Sequence, residues 1–164
     1  MKLSTRLVAF TSVSSTLTIL LALLSFPFLM GVRIHFFQVG IILAGAIGGP
    51  ISGMVTGAIG GAYIGLLRND PTILIGNGLL GLFTGLFARR LRPALAGMAA
   101  WFLIQAPWTY ATGTFVLGVP AAVMQLILVL LTMEDAVCAV IVDFLQNHLH
   151  LGRFVFPSSR VKPP

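Results

Sequence analysis

The chain has 164 residues, 57% hydrophobic and 9% charged, with a mean hydropathy of +1.01. No ordinary soluble domain reaches such values, and at ~20 residues per span the length holds about six membrane helices and no soluble catalytic domain. The formal charge of +6 does not point to nucleic acid, because the basic residues are scattered at the ends of apolar runs and form no stripe.

In chain order, Lys2 and Arg6 precede an apolar run that reaches Met30 without a small-x-small cleavage site, so it is expected to stay as the first span. Apolar runs follow at Phe36 to Gly49, Ile51 to Leu67, Ile73 to Ala88 and Ala94 to Phe115. Gly45, Gly49, Gly53, Gly57, Gly61 and Gly65 recur every fourth residue. In lipid such spacing lets a neighbouring backbone approach closely, so this stretch is expected to be the packing hub. Pro50 has no donor and restricts the residue before it, which splits the stretch into two helices at Gly48-Gly49-Pro50.

Beyond Phe115 the pattern is less clear. Val119 to Leu131 follows the breaking signal Gly118-Val119-Pro120 and is too short to cross, so it is expected to be re-entrant or extended. Thr132 to Leu149 is then the last helix, with Thr132 or a neighbour as cap and Glu134 and Asp135 in its first turn. The expected fold is all-α, a polytopic bundle of six transmembrane helices with glycine-rich packing. Residues 1–150 make one domain, and residues 151–164 a basic, disordered tail.

With the N-terminus inside the cell, eight basic residues lie on the cytoplasmic side and only Arg33 and Arg68 outside, as the positive-inside rule prefers. A multi-pass protein of the plasma membrane with both termini cytoplasmic is therefore expected.

Three outer loops then collect the unusual polar and aromatic residues, and the candidate binding set is His35, Asn77, Gln105, Trp108, Tyr110, Gln125, Glu134 and Asp135. Each has an ordinary alternative. Asn69-Asp70-Pro71 is also common turn chemistry, Trp101, Trp108 and Tyr110 also suit an interfacial aromatic belt, and Asn77 also suits a hydrogen bond between helices. Two adjacent carboxylates among apolar residues are harder to place, since in lipid they need water, a partner or a ligand. No P-loop lysine, HExxH or Ser-His-Asp order is present, so neither an enzyme nor a cofactor or metal is expected.

The segments GIILAGAIGGPISGMVTGAIGGAYIGLL, NGLLGLFTGLFARRL and GVPAAVMQLILVLLTMEDAVCAVIVDFL together resemble the substrate-binding S components of energy-coupling factor (ECF) vitamin transporters, over about residues 5 to 150. The resemblance implies a high-affinity binding subunit for a small vitamin or metabolite. Its partners would be a transmembrane T component and two cytoplasmic ATPase subunits. It also implies a docking pattern on the first span; the family's alanine-xxx-alanine is replaced here by Thr5-xxx-Ala9 and Ser12-xxx-Thr16. Two other readings stay open: a homo-oligomeric channel packed through the glycine ladder, and a membrane scaffold without a ligand.

Overall fold

The computed structural model describes residues 4–27, 33–149 and 151. The expected tail therefore lies, apart from Leu151, outside the described residues. Helix α1 (Thr5–Leu23) leads into a short antiparallel hairpin of β1 (Ser25–Pro27) and β2 (Arg33–His35), with Phe26 opposite Ile34. Helices α2 (Gln38–Gly48), α3 (Pro50–Arg68) and α4 (Thr72–Phe87) follow. The next rod joins α5 (Pro93–Ala100), a π-helical turn (Trp101–Gln105), α6 (Ala106–Ala111) and a second π-helical turn (Thr112–Val116), before the long α7 (Ala121–Leu149). The described residues thus form six helical rods, of which α1, α3 and α7 are long and apolar enough to cross a membrane. Exposed apolar side chains such as Leu66, at 85%, and Phe115, at 81%, cover more of the surface than water tolerates and suit lipid.

Helix α2 is the inner rod. Its 11 residues extend ~16 Å, about half the ~30 Å of a bilayer's hydrocarbon, and Ile41, Ile42 and Ala44 are fully enclosed. Val39, Ile42, Leu43 and Ile47 pack on Cys138, Ala139 and Val142 of α7, while Ile41 belongs to a second cluster with Ile64, Leu80 and Trp101. Only Gly49 separates α2 from α3, at φ 85°, where a side chain would be strained. Pro50 then opens α3 at a position that needs no donor.

The glycine ladder joins α3 to α4 within this one chain. On α2, a Cβ at Gly45 would stand 2.8 Å from the Gly81 carbonyl oxygen of α4; between α3 and α4, one at Gly61 would stand 2.7 Å from the Ile73 carbonyl oxygen, and one at Gly57 or Gly53 would run into the Asn77 or Gly81 carbonyl. The two backbones are in direct contact, which glycine permits.

The last third departs from expectation. Residues 121–149 form one continuous helix of 29 residues, not a re-entrant piece followed by a capped helix. The break at Gly118, with φ 68°, is real, but it is the only one there, and the chain becomes helical directly after Pro120. Glu134 and Asp135 consequently lie mid-helix, ~20 Å along the axis from Ala121, and cannot act on a helix start. Thr132 is no cap either: its hydroxyl donates to the Leu128 carbonyl at 2.7 Å.

Candidate functional site

At the end of the bundle nearest the hairpin, α3, α4, the π-interrupted rod and α7 enclose a cavity of about 200 Å³. The hairpin supplies His35, the turn before α2 supplies Phe37, and the first residue of α2 supplies Gln38. Helix α4 contributes Ile73, Gly76 and Asn77, and α7 contributes Met124, Ile127 and Leu131. From the rod between them come Trp101, Gln105, Trp108 and Thr112.

The rod reaches the cavity through its irregularities. Pro107 has no N–H, and its ring would clash with the carbonyl four residues earlier in a regular α-helix. The π-helical turn immediately before it, closed by the Ala106 N–H on the Trp101 carbonyl, absorbs that conflict. Single π-turns inside α-helices recur at functional sites, and here two of them carry cavity residues. Trp108 lies against Gly76, where a Cβ would stand 2.9 Å from the indole Cδ1, and its Nε1 donates to the Thr72 carbonyl at 3.1 Å.

The polar side chains form two linked sets. Asn77 Nδ2 donates to the Ile73 carbonyl at 2.9 Å, so its Oδ1 is free to accept from Gln105 Nε2 at 3.3 Å. Across the cavity, His35 Nδ1 lies 2.8 Å from Glu134 Oε1, both side chains being almost wholly buried. The His35 ring also stands edge-on to Phe37, with centroids 4.7 Å apart. Three buried atoms on the cavity residues have no hydrogen-bond partner among the described residues: His35 Nε2, Gln38 Oε1 and Gln105 Oε1. Leaving a buried polar atom unmatched costs ~1–3 kcal/mol, so their gathering at one cavity needs an explanation.

Of the residues singled out in the sequence, the structure brings His35, Asn77, Gln105 and Trp108 to the cavity. Gln125 is exposed, and Tyr110 is half-buried away from the lining. Glu134 and Asp135 do not line the cavity. Glu134 is taken up by His35, and Asp135, 1% exposed, has neither oxygen bonded among the described residues. Asp70 performs turn chemistry, its Oδ1 accepting from the Thr72 N–H at 3.0 Å and the Thr72 hydroxyl at 2.6 Å. Gln38 and Trp101 were the residues passed over. Gln38 is a lone polar residue opening the apolar helix QVGIILAGAIG, which was a usable signal. Trp101 suits an interfacial belt by its sequence position, yet it is 1% exposed and donates to Thr132 Oγ1 at 2.9 Å.

The stripe expected to dock a partner, Thr5, Ala9, Ser12 and Thr16, is exposed along α1. Two of its hydroxyls turn back on their own helix, Ser12 donating to the Val8 carbonyl and Thr16 to the Ser12 carbonyl, each at 3.0 Å. That satisfies them in lipid without a partner.

No curated protein and no solved structure matches this chain. The profile of the family described as "5TMR of 5TMR-LYT" matches residues 3–145, and this match overturns the transporter resemblance. The S-component assignment, the vitamin-uptake role, and the T component and ATPase partners fall together. Close glycine spacing is a general device for packing membrane helices, which is why it misdirected the comparison. A multi-pass, all-helical membrane domain remains, and the chain belongs to the 5TMR family of 5TMR-LYT, the five-transmembrane receptor domains.

Proposed function

We propose that this chain is a membrane sensory input domain: it binds a small molecule in the hairpin-end cavity and reports occupancy through α7 to signalling partners of the LytS/LytTR kind. It does no catalysis itself. The observation that carries the reading is that the cavity's own wall residues grip α7 within three positions. Trp101 holds Thr132, and His35 holds Glu134, while Met124, Ile127 and Leu131 of the same helix complete the wall. A ligand that shifts Trp101 or His35 by a fraction of an ångström therefore biases α7 directly, which is the differential contact a population shift requires. The ligand contacts are His35, Gln38, Asn77, Gln105 and Trp108, and Glu134 acts by holding His35. The basic turn Arg89, Arg90 and Arg92 supports a cytoplasmic position for its end of the bundle, with the cavity opening outward and both termini facing in.

The test is to isolate the protein from growing cells in mild detergent, identify small molecules that remain bound, and follow hydrogen exchange along α7 with and without them. Ile127→Trp, which fills the cavity, is expected to abolish retention and to alter exchange around Thr132 to Glu134. Unchanged exchange there on ligand removal and on cavity filling would refute the receptor reading.

A further inference from the structure

The hydrogen-bonding sense of the cavity narrows what it binds. Asn77 is oriented by the Ile73 carbonyl and so presents Oδ1 to Gln105, which must donate through Nε2. The Gln105 amide is thereby fixed with Oε1 left over, as an acceptor. The same logic applies to His35. A carboxylate only accepts, so the bond to Glu134 Oε1 places a hydrogen on Nδ1 and leaves Nε2 as the unmatched nitrogen of the ring. Gln38 Oε1 is a second unmatched acceptor. The three residues are 6%, 5% and 2% exposed respectively, so they are closed to bulk water.

The aromatic wall adds a second restriction. The indole N–H groups of Trp101 and Trp108 are committed to Thr132 and to the Thr72 carbonyl, so these rings offer the cavity only carbon surface. The one guanidinium of the lining, Arg68, is exposed at the mouth and accompanied by Asp70. An anion inside would face the Gln38 and Gln105 lone pairs with no guanidinium or ammonium group in the buried lining. The volume of about 200 Å³ is below the ~300–1,000 Å³ of pockets for drug-sized ligands, which leaves room for one or two rings.

Resting on the receptor reading above, we infer that the ligand is a neutral, flat nitrogen heterocycle of nucleobase size that donates ring or exocyclic N–H groups to Gln38 and Gln105, bonds His35 Nε2 and lies against Trp101 and Trp108.

The full chain in detergent is tested by equilibrium dialysis with radiolabelled adenine and cytosine, and with benzoate as a flat anion of similar size. Saturable binding of adenine or cytosine, and none of benzoate, is expected. Gln105→Met should weaken it about tenfold or more, the scale of a lost buried hydrogen bond, and Gln38→Met likewise, while Gln125→Met, outside the cavity, should leave it unchanged. Thermal unfolding of each variant separates loss of contact from loss of fold, and the two cavity variants are independent of one another. Preference for benzoate, or binding of neither heterocycle, overturns the inference. If that happens while Ile127→Trp still displaces a co-purified compound and alters α7 exchange, only the ligand class is wrong; if both effects are absent, the receptor reading fails as well.

Discussion

His35 and Glu134, 99 residues apart in the chain, meet as a buried pair with Nδ1 and Oε1 2.8 Å apart. The contact ties the hairpin to the middle of α7. Removing one member leaves the other buried and unmatched, a loss of ~3–5 kcal/mol when the orphan is charged. His35→Ala is therefore expected to destabilise severely in thermal unfolding. Glu134→Gln, whose amide oxygen still accepts, should lose much less, and the double change to His35→Phe with Glu134→Leu should recover part of the deficit. Equal stability of His35→Ala and the parent would show that the pair does not hold the hairpin.

Gly57 and Gly78 give a sharp contrast on the α3–α4 interface. A Cβ at Gly57 would run into the Asn77 carbonyl, whereas one at Gly78 meets nothing nearer than 3.7 Å. Gly57→Ala is expected to cost ~1–3 kcal/mol, as overpacking does, despite adding only one methyl group. Gly78→Ala should be neutral or slightly stabilising, because alanine favours the helix by ~1 kcal/mol over glycine. The yield and melting temperature of the two variants, measured side by side, check this, and a tolerated Gly57→Ala would mean that α3 and α4 stand further apart.

Thr132 accepts the Trp101 indole N–H at 2.9 Å. Thr132→Val keeps the shape and deletes the acceptor, so it should cost ~1–3 kcal/mol, the range for a buried donor left unmatched. A shift in tryptophan fluorescence should accompany the loss. Unaltered emission and stability together would remove this bond from the link between cavity and α7.

Orientation is checked by labelling. In a Cys138→Ala background, Arg90→Cys should react with an impermeant thiol reagent only from the cytoplasmic side, while Asn69→Cys, exposed at the opposite end of α3 and α4, should react only from outside. The reverse pattern would invert the bundle and close the cavity to external ligands.

Much of the architecture was legible from local signals. The apolar runs marked the helices to within a few residues, and Pro50 and the four-residue glycine spacing marked the α2–α3 break and the tight α3–α4 face. The last third was not legible. The sequence around Glu134 and Asp135 resembles a helix start because acidic residues belong there, but here one of them is compensated by a histidine 99 residues away, and no local pattern records such a contact. Half of the candidate site was missed for a related reason. Tyr110 has the right chemistry on the wrong face, since the π-helical turn before it alters the register of the rod that a uniform helical wheel assumes, and Gln125 stands on the exposed side of α7, next to the cavity residue Met124. The family assignment was missed because close helix packing shapes the glycine pattern whatever the bundle's task.

The contact of bare backbones between α3 and α4 has a mechanical consequence. Where side chains mediate packing, neighbouring helices slide by exchanging rotamers; where main chain rests on main chain, nothing can be re-sorted, and displacement means collision. The α3–α4 pair is thus a stator. The π-interrupted rod is joined to it through side chains, Gln105 on Asn77 and Trp108 on the Thr72 carbonyl, the hairpin is tied in turn to α7 by His35 on Glu134, and these parts take up whatever motion the bundle has. Amide exchange should accordingly be slowest along Gly53 to Gly61 and Asn77 to Gly85, with the fastest exchange within the rods around the two π-helical turns, where the ladder of hydrogen bonds is already loosened.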